Sequence, residues 1–237
     1  MGRFIKTTTG LLIMANVAMF VLITAVGLAA GSLKAATWFG VSASPWATPW
    51  TLLSYMFTDN LPINVLFNCL WLWLFSNMFL EIGNDRQLLA AYLIGGLAGA
   101  LSFIAGSWLG IADGNLLGAS AAILSIVSFA AVRVPYMRIN LMFFGPVKFM
   151  WIGIIAALLS LTPLIAGHTG SGLAHLGGLI GGACYALALR FRRSRYTIVR
   201  PDKKKTLDEL LDKVRRSGYG SLNASERRQL YEYSKNL

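Results

Sequence analysis

Six long apolar runs constrain this chain more than any other feature. A helix needs about 20 predominantly apolar residues to cross the hydrocarbon core of a bilayer. Of the 237 residues, 56% are hydrophobic and only 13% are charged, a more apolar composition than a soluble domain has. The sequence therefore predicts an all-α membrane protein, a bundle of six transmembrane helices. The spans fall near residues 10–31, 62–81, 87–107, 117–134, 146–166 and 172–190.

Positive charge is concentrated outside these runs. Of the 21 Lys and Arg residues, 14 lie from Arg190 onward, and 20 fall on one side of the membrane when the six spans are threaded in alternation, leaving Lys34 on the other side. Because short cytoplasmic segments carry an excess of Lys and Arg, the N- and C-termini are predicted to be cytoplasmic. The basic excess is expected to meet anionic headgroups of the lipid bilayer and no nucleic acid.

The chain is expected to have two parts. Residues 1–195 form the predicted six-span membrane domain, and residues 196–237 form a basic cytoplasmic tail that is predicted to fold as a helical hairpin. In a capping box, the first residue of the spacing and the Glu three positions later satisfy each other's backbone N–H groups at the start of a helix. Two such spacings open the tail helices, Thr206 with Glu209 and Asn223 with Glu226.

Four polar side chains interrupt the apolar runs. Asn64 and Asn68 lie early in the second span, Ser120 early in the fourth and His175 early in the sixth. Polar groups inside a membrane are costly, so each of them requires an explanation. In the predicted orientation the even-numbered spans all start at the outer face, which places Ser120 and His175 about 5 Å below their helix starts. The four side chains are therefore expected at one depth, within reach of water from outside.

Small residues surround Ser120 and His175, and they favour close packing of the helices that carry them. The third and sixth spans also contain small-xxx-small patterns, Gly95 to Gly99 and Gly178 to Gly182. Such patterns let helix backbones approach closely in lipid.

These residue types suit acyl-transfer chemistry. A serine hydroxyl becomes a nucleophile when a base such as a neutral imidazole takes its proton, which are the roles expected of Ser120 and His175. The amides of Asn64 and Asn68 can donate hydrogen bonds to an oxyanion without bringing charge into the bilayer. No Cys, Asp or Glu lies at the same outer depth in a partner span, so neither a metal site nor a cofactor is predicted.

Other interpretations of the same residues stay open. A serine in a membrane helix is usually bonded to its own backbone, a lone His can serve in packing or as a proton relay, and an Asn pair can hold helices together. A channel or transporter would need charged residues along its pathway, and the six spans contain almost none.

Three segments in order resemble the motifs of the rhomboid family of intramembrane serine proteases. Asn64-Val-Leu-Phe-Asn68 is similar to the HxxxN motif of the second helix, Gly118-Ala119-Ser120-Ala121 to the GxSG motif of the fourth, and Ala174-His175-Leu176-Gly177-Gly178 to the AHxxG motif of the sixth. Two departures stand out, since Asn64 replaces the usual histidine and Ala121 replaces the glycine after the serine. The Trp-Arg pair of the family's first external loop is also missing, with Trp50-Thr51 in the nearest position.

The resemblance implies a function and the residues that perform it. It implies a catalytic dyad of Ser120 and His175, and an oxyanion site made by the backbone N–H of Ser120 with Asn68 and Asn64. The expected activity is endopeptidase cleavage of transmembrane segments of membrane proteins, in a bacterial inner membrane. The alternative is a catalytically inactive rhomboid-like protein that binds transmembrane helices.

Overall fold

The computed structural model describes residues 7–30, 33–141, 145–195 and 207–234, without the side chains of residues 33–34, 140–141 and 191–195. The chain divides into two compact units, Met1–Phe191 and Arg192–Leu237. Short 3₁₀ turns at Leu33–Trp38, Pro45–Ala47 and Tyr55–Phe57 lie in the first of these units. The helices up to the tail are α1 (Thr8–Ala29), α2 (Thr51–Ser54), α3 (Pro62–Leu80), α4 (Asp85–Trp108), α5 (Ser120–Arg133), α6 (Phe149–Leu159), α7 (Thr162–Ile165) and α8 (Thr169–Arg195).

Within the described residues, four helices are long and apolar enough to cross a membrane. They are α1, α3, α4 and the part of α8 from Thr169 to Arg190. The remaining two predicted spans correspond to shorter apolar helices, Ser120–Arg133 and the segment Phe149–Ile165. The prediction of a mostly helical integral membrane protein is therefore confirmed, while the count of six spans stays a prediction.

Helix α5 is shorter than the sequence predicted. It has 14 residues, a length of about 21 Å at 1.5 Å per residue, and it begins at Ser120 instead of near residue 117. The reason is Gly118, whose φ of +110° lies in a backbone region that is open to glycine and outside the helical range. Ser120 therefore stands at the very start of its helix.

The predicted fifth span, residues 146–166, is wrong as one continuous helix. Its first residues belong to a two-stranded antiparallel hairpin, β1 (Arg138–Leu141) with β2 (Gly145–Lys148). Helix α6 then ends at Leu159, and α7 starts separately at Thr162 with a proline in its first turn. Because proline has no N–H to continue the helical hydrogen bonding, it favours a new helix start there.

Small residues bring α4, α5 and α8 into close contact, as the small-xxx-small patterns predicted. A Cβ atom added to Gly178 would collide with the backbone of Ala121, and one added to Gly95 would collide with the side chain of Ser125. Gly99 faces both the Ala121 side chain and the Ala174 carbonyl. Since none of these glycines has space for a side chain, the three helices are held at a separation that only glycine permits.

Two buried tyrosines fix the segment that precedes α3. The Tyr55 hydroxyl donates to the Gly96 carbonyl at 2.6 Å, and the Tyr92 hydroxyl donates to the Met56 carbonyl at 2.9 Å. The N–H of Gly118 donates in turn to the Tyr55 carbonyl at 3.0 Å. Both tyrosine side chains are fully buried, so these bonds tie the segment to α4 and to the residues just before α5.

The tail unit contains two helices, α9 (Leu207–Ser217) and α10 (Ala224–Ser234). The second capping box forms as predicted, because the Asn223 side chain accepts from the Glu226 N–H at 2.8 Å and Glu226 accepts from the Asn223 N–H at 2.9 Å. Glu226 is buried and also pairs with Lys213 at 2.7 Å. The first predicted capping box includes Thr206, which lies outside the described residues.

Candidate active site

Ser120 and His175 are brought together by the packing of α5 and α8. Ser120 is the first residue of α5, and His175 lies in the second turn of α8. The Nε2 atom of His175 is 2.7 Å from the Oγ atom of Ser120, although the two residues are 55 positions apart in the chain. This distance is within the range of a hydrogen bond between a nucleophile and its base.

The contact is compatible with a neutral imidazole in one of its two tautomers. If the Ser120 hydroxyl donates to Nε2, that nitrogen is unprotonated and the ring proton is on Nδ1. The Nδ1 atom of His175 is buried and has no side-chain partner among the described residues. The pair is thus a dyad without a carboxylate behind the histidine in the part of the chain that is described.

Ala121 is accommodated at the contact of α4 with α5. Its side chain is 2% exposed and faces Gly99, where an added Cβ would stand 2.7 Å from the Ala121 methyl group. The methyl group therefore occupies space that the missing side chain of Gly99 leaves open. The replacement of the family's glycine by Ala121 is compatible with close packing of the helices.

Asn64 and Asn68 form hydrogen bonds with Asp59, a residue that was not predicted to belong to the site. Both side-chain amides donate to the carboxylate of Asp59, Asn64 Nδ2 to Oδ1 at 3.1 Å and Asn68 Nδ2 to Oδ2 at 3.1 Å. The structure thus places the two predicted oxyanion donors around an acidic side chain. Asp59 comes from the segment before α3 and not from a partner span, so the expectation that no acid lies at this depth in a partner span stays a prediction.

Asp59 is enclosed by the segment that holds it. It is 8% exposed, and its Oδ1 atom also accepts from the backbone N–H of Asn60 at 2.9 Å. Burial raises the pKa of the Asp59 carboxyl above its ordinary value, although hydrogen bonds, the Asn64 amide first among them, favour the charged form. The only signal in the sequence was an acidic residue between two polar ones, three positions before Pro62, and hydropathy windows pass over such a residue.

A cavity of about 520 Å³ lies beside this cluster. Its lining includes Asp59 and Asn64, together with Asp113, His168 and Ser171. The lining contains two carboxylates and no Lys or Arg. Among the described residues, no three His, Cys, Asp or Glu side chains are grouped so that they could hold a metal ion.

Comparison with known families shows which family this helical membrane protein belongs to. The Rhomboid domain model matches residues 47–192, more than half of the chain, and the chain belongs to the rhomboid family. Residues 194–236 match a family of unknown function, DUF6576. None of the curated proteins compared matches the chain.

Proposed function

We propose that this chain is an intramembrane serine endopeptidase that acts by acyl transfer through Ser120 and His175. The observation that carries the proposal is the 2.7 Å contact between His175 Nε2 and Ser120 Oγ. A rhomboid domain that had lost its chemistry would have no need to keep a base within hydrogen-bond distance of a serine. No cofactor or metal ion takes part in the proposed reaction.

The dyad would act in two stages. Ser120 Oγ attacks the carbonyl carbon of the scissile peptide bond while His175 Nε2 takes the hydroxyl proton. The imidazolium then gives this proton to the leaving amine, and the carbon–nitrogen bond breaks to leave an ester on Ser120. In the second stage His175 takes a proton from water as the water oxygen attacks the ester carbon. The bond between that carbon and Ser120 Oγ then breaks, His175 returns the proton to Oγ, and the new C-terminal fragment leaves as a carboxylic acid.

The start of α5 supplies donors for the oxyanion. The first N–H groups of a helix have no partner within that helix, and the positive end of the helix dipole stabilises a nearby anion. The residue before Ser120 is Ala119, whose side chain has no atom that can cap these groups. The backbone N–H of Ser120 is therefore suited to bind the oxyanion, and Asn68 and Asn64 are proposed to add side-chain donors.

The proposed substrates are transmembrane segments of other membrane proteins. A peptide bond within a helix is shielded by its own hydrogen bonding, so the substrate must unwind locally near the outer face of the bilayer. We further propose that residues 1–195 cross the membrane six times, with both termini in the cytoplasm, and that the tail of residues 196–237 meets lipid headgroups. A bacterial inner membrane is the proposed location.

One observation favours a second candidate function. The amides of Asn64 and Asn68 both donate to Asp59, and a carboxylate at an oxyanion site can oppose the chemistry. A rhomboid relative that binds transmembrane helices without cutting them would tolerate such an arrangement.

Cleavage of a reporter membrane protein by the purified chain in liposomes distinguishes the two functions. We expect the parent to cut a single-span reporter, and both Ser120→Ala and His175→Ala to abolish cutting while the reporter still binds. Ser128→Ala is the matched control, because the Ser128 hydroxyl bonds only within its own helix, to the Ser125 carbonyl at 3.1 Å. Binding of several reporters without cleavage by the parent would favour the inactive relative.

A further inference from the structure

We propose that Asp59 is a positioning residue that holds the side-chain amides of Asn64 and Asn68 as donors for the oxyanion. This inference rests on the proposed peptidase function and extends it to a residue that the family motifs do not contain. It starts from the two amide–carboxylate hydrogen bonds at the outer end of α3.

Asp59 is placed so that one carboxylate serves two amides. Asn64 and Asn68 are four residues apart on α3, so their side chains lie on one face of the helix, one turn above the other. Each takes a different oxygen of Asp59 at 3.1 Å. The carboxylate is itself fixed, because it is 8% exposed and accepts the N–H of Asn60.

The carboxylate of Asp59 determines how the side-chain amides of Asn64 and Asn68 are oriented. The oxygen and nitrogen ends of an Asn side chain have nearly the same shape, and either end can turn towards a neighbour. An ionised carboxylate only accepts hydrogen bonds, so it selects the NH₂ end of Asn64 and of Asn68. Each NH₂ group keeps a second N–H for another acceptor.

Hydrogen-bond donors with fixed positions stabilise an oxyanion better than donors that must first rotate. Donors that are already in place when charge develops need no reorganisation during the reaction. The Asn64 side chain is exposed, so without Asp59 it would be free to rotate and to present its carbonyl oxygen to the anion. The hydrogen bond to Asp59 removes that freedom.

The cluster is adjacent to the nucleophile, next to Gly118. The point where a Cβ atom of Gly118 would stand is 3.5 Å from Asp59 Oδ2, 3.8 Å from Asn68 Nδ2 and 3.9 Å from Ser120 Oγ. Because residue 118 is a glycine, no side chain fills this point. The nucleophile, one amide donor and the carboxylate thus border one small space.

Asp59 has two opposite effects on an oxyanion. A carboxylate so close to an oxyanion repels it, while the order that it imposes on the two amides favours it. Replacement of the acid by its neutral amide, Asp59→Asn, removes both effects. A positioning role requires the reaction to become slower, and a carboxylate that only repelled the oxyanion would make it faster.

The experiment is a double-mutant cycle on the full chain in liposomes with a single-span reporter substrate. Asp59→Asn should lower kcat by about tenfold or more, as misplaced catalytic groups do, and change KM by less than about twofold. In a background of Asn64→Ala with Asn68→Ala, the same substitution should no longer lower kcat, because the amides that Asp59 positions are gone and only its repulsion of the oxyanion is removed. A general structural role would lower kcat in both backgrounds.

One control variant and one substitute for the test variant are needed. Asp113→Asn removes a carboxylate from the same cavity without touching the two amides and should keep the parental kcat. If Asp59→Asn does not fold, Asp59→Glu takes its place, since it keeps the charge but moves the acceptor by one methylene; a lower kcat that is absent in the double-alanine background is again expected.

The outcomes separate this inference from the function on which it rests. A parent that cleaves the reporter, with Asp59→Asn at the parental rate or faster, overturns the positioning role and leaves the peptidase function intact. A loss of kcat of equal size in both backgrounds also overturns it. A parent that never cleaves overturns the proposed function, and the positioning role with it.

Discussion

Substitution of Gly178 by alanine tests whether helix packing sets the geometry of the dyad. An added Cβ would meet the carbonyl oxygen, carbonyl carbon and Cα atoms of Ala121. These are main-chain atoms that cannot rotate away, so α8 must shift outward from α5. His175 lies three residues before Gly178, on the same helix face, and must move with it.

The magnitudes follow from this collision. Overpacking of a close contact costs about 1–3 kcal/mol, and the upper part of that range is expected here because backbone is displaced. A shift of about 1 Å at the site would lower the cleavage rate by about 100-fold, since the 2.7 Å contact between Nε2 and Oγ would lengthen beyond a good hydrogen bond.

The assay measures reporter cleavage in liposomes and thermal unfolding of the same preparations. Gly220→Ala is the control, because nothing lies within 4 Å of a Cβ atom added there, and it should match the parent in both measurements. Parental cleavage by Gly178→Ala, with or without loss of stability, would refute the link between this helix contact and the dyad.

Three further predictions concern stability. Tyr92→Phe leaves the buried Met56 carbonyl without its donor at 2.9 Å and should lower the free energy of unfolding by about 1–3 kcal/mol; an unchanged melting temperature would contradict this. Asn223→Ala removes the acceptor of the Glu226 N–H and should destabilise α10 by about 1 kcal/mol, seen as faster amide exchange in that helix alone. Burial raises the pKa of Asp59 in the folded protein above the ordinary value of 3.8, so the folded state holds this proton more tightly than the unfolded state does. The resulting contribution to the free energy of unfolding is fully present below pH 3.8 and is lost as the pH rises through the folded-state pKa. Over that interval the parent should lose stability relative to Asp59→Asn, and parallel pH curves would contradict the assignment.

Much of the membrane architecture was predictable because it depends on simple physical rules. Apolar runs long enough for a bilayer identified α1, α3, α4 and α8 as possible spans. Ser120 and His175 were identified because a bilayer disfavours polar side chains, and the structure brings these two residues together. The glycine patterns correctly predicted close contact of neighbouring helices, because only a missing side chain allows such contact in lipid.

The remaining features depend on backbone geometry and on loops. The late start of α5 follows from the φ angle of Gly118, and a hydropathy window averages over a single glycine. The break after α6 and the hairpin of β1 with β2 lie within or beside an apolar run and have no hydropathy signal of their own. Asp59 precedes the second predicted span, in a segment that the hydrogen bonds of Tyr55 and Tyr92 hold against the helices.

The most direct test of the central claim is covalent labelling of the purified chain with a fluorophosphonate, a reagent that reacts with activated serines, followed by mass spectrometric mapping of the adduct. An activated Ser120 predicts one adduct on that residue in the parent and none in His175→Ala, because the base that takes the hydroxyl proton is gone. An absence of adduct at Ser120 in the parent, or equal labelling of Ser120 with and without His175, would contradict the assignment of these two residues as a catalytic dyad.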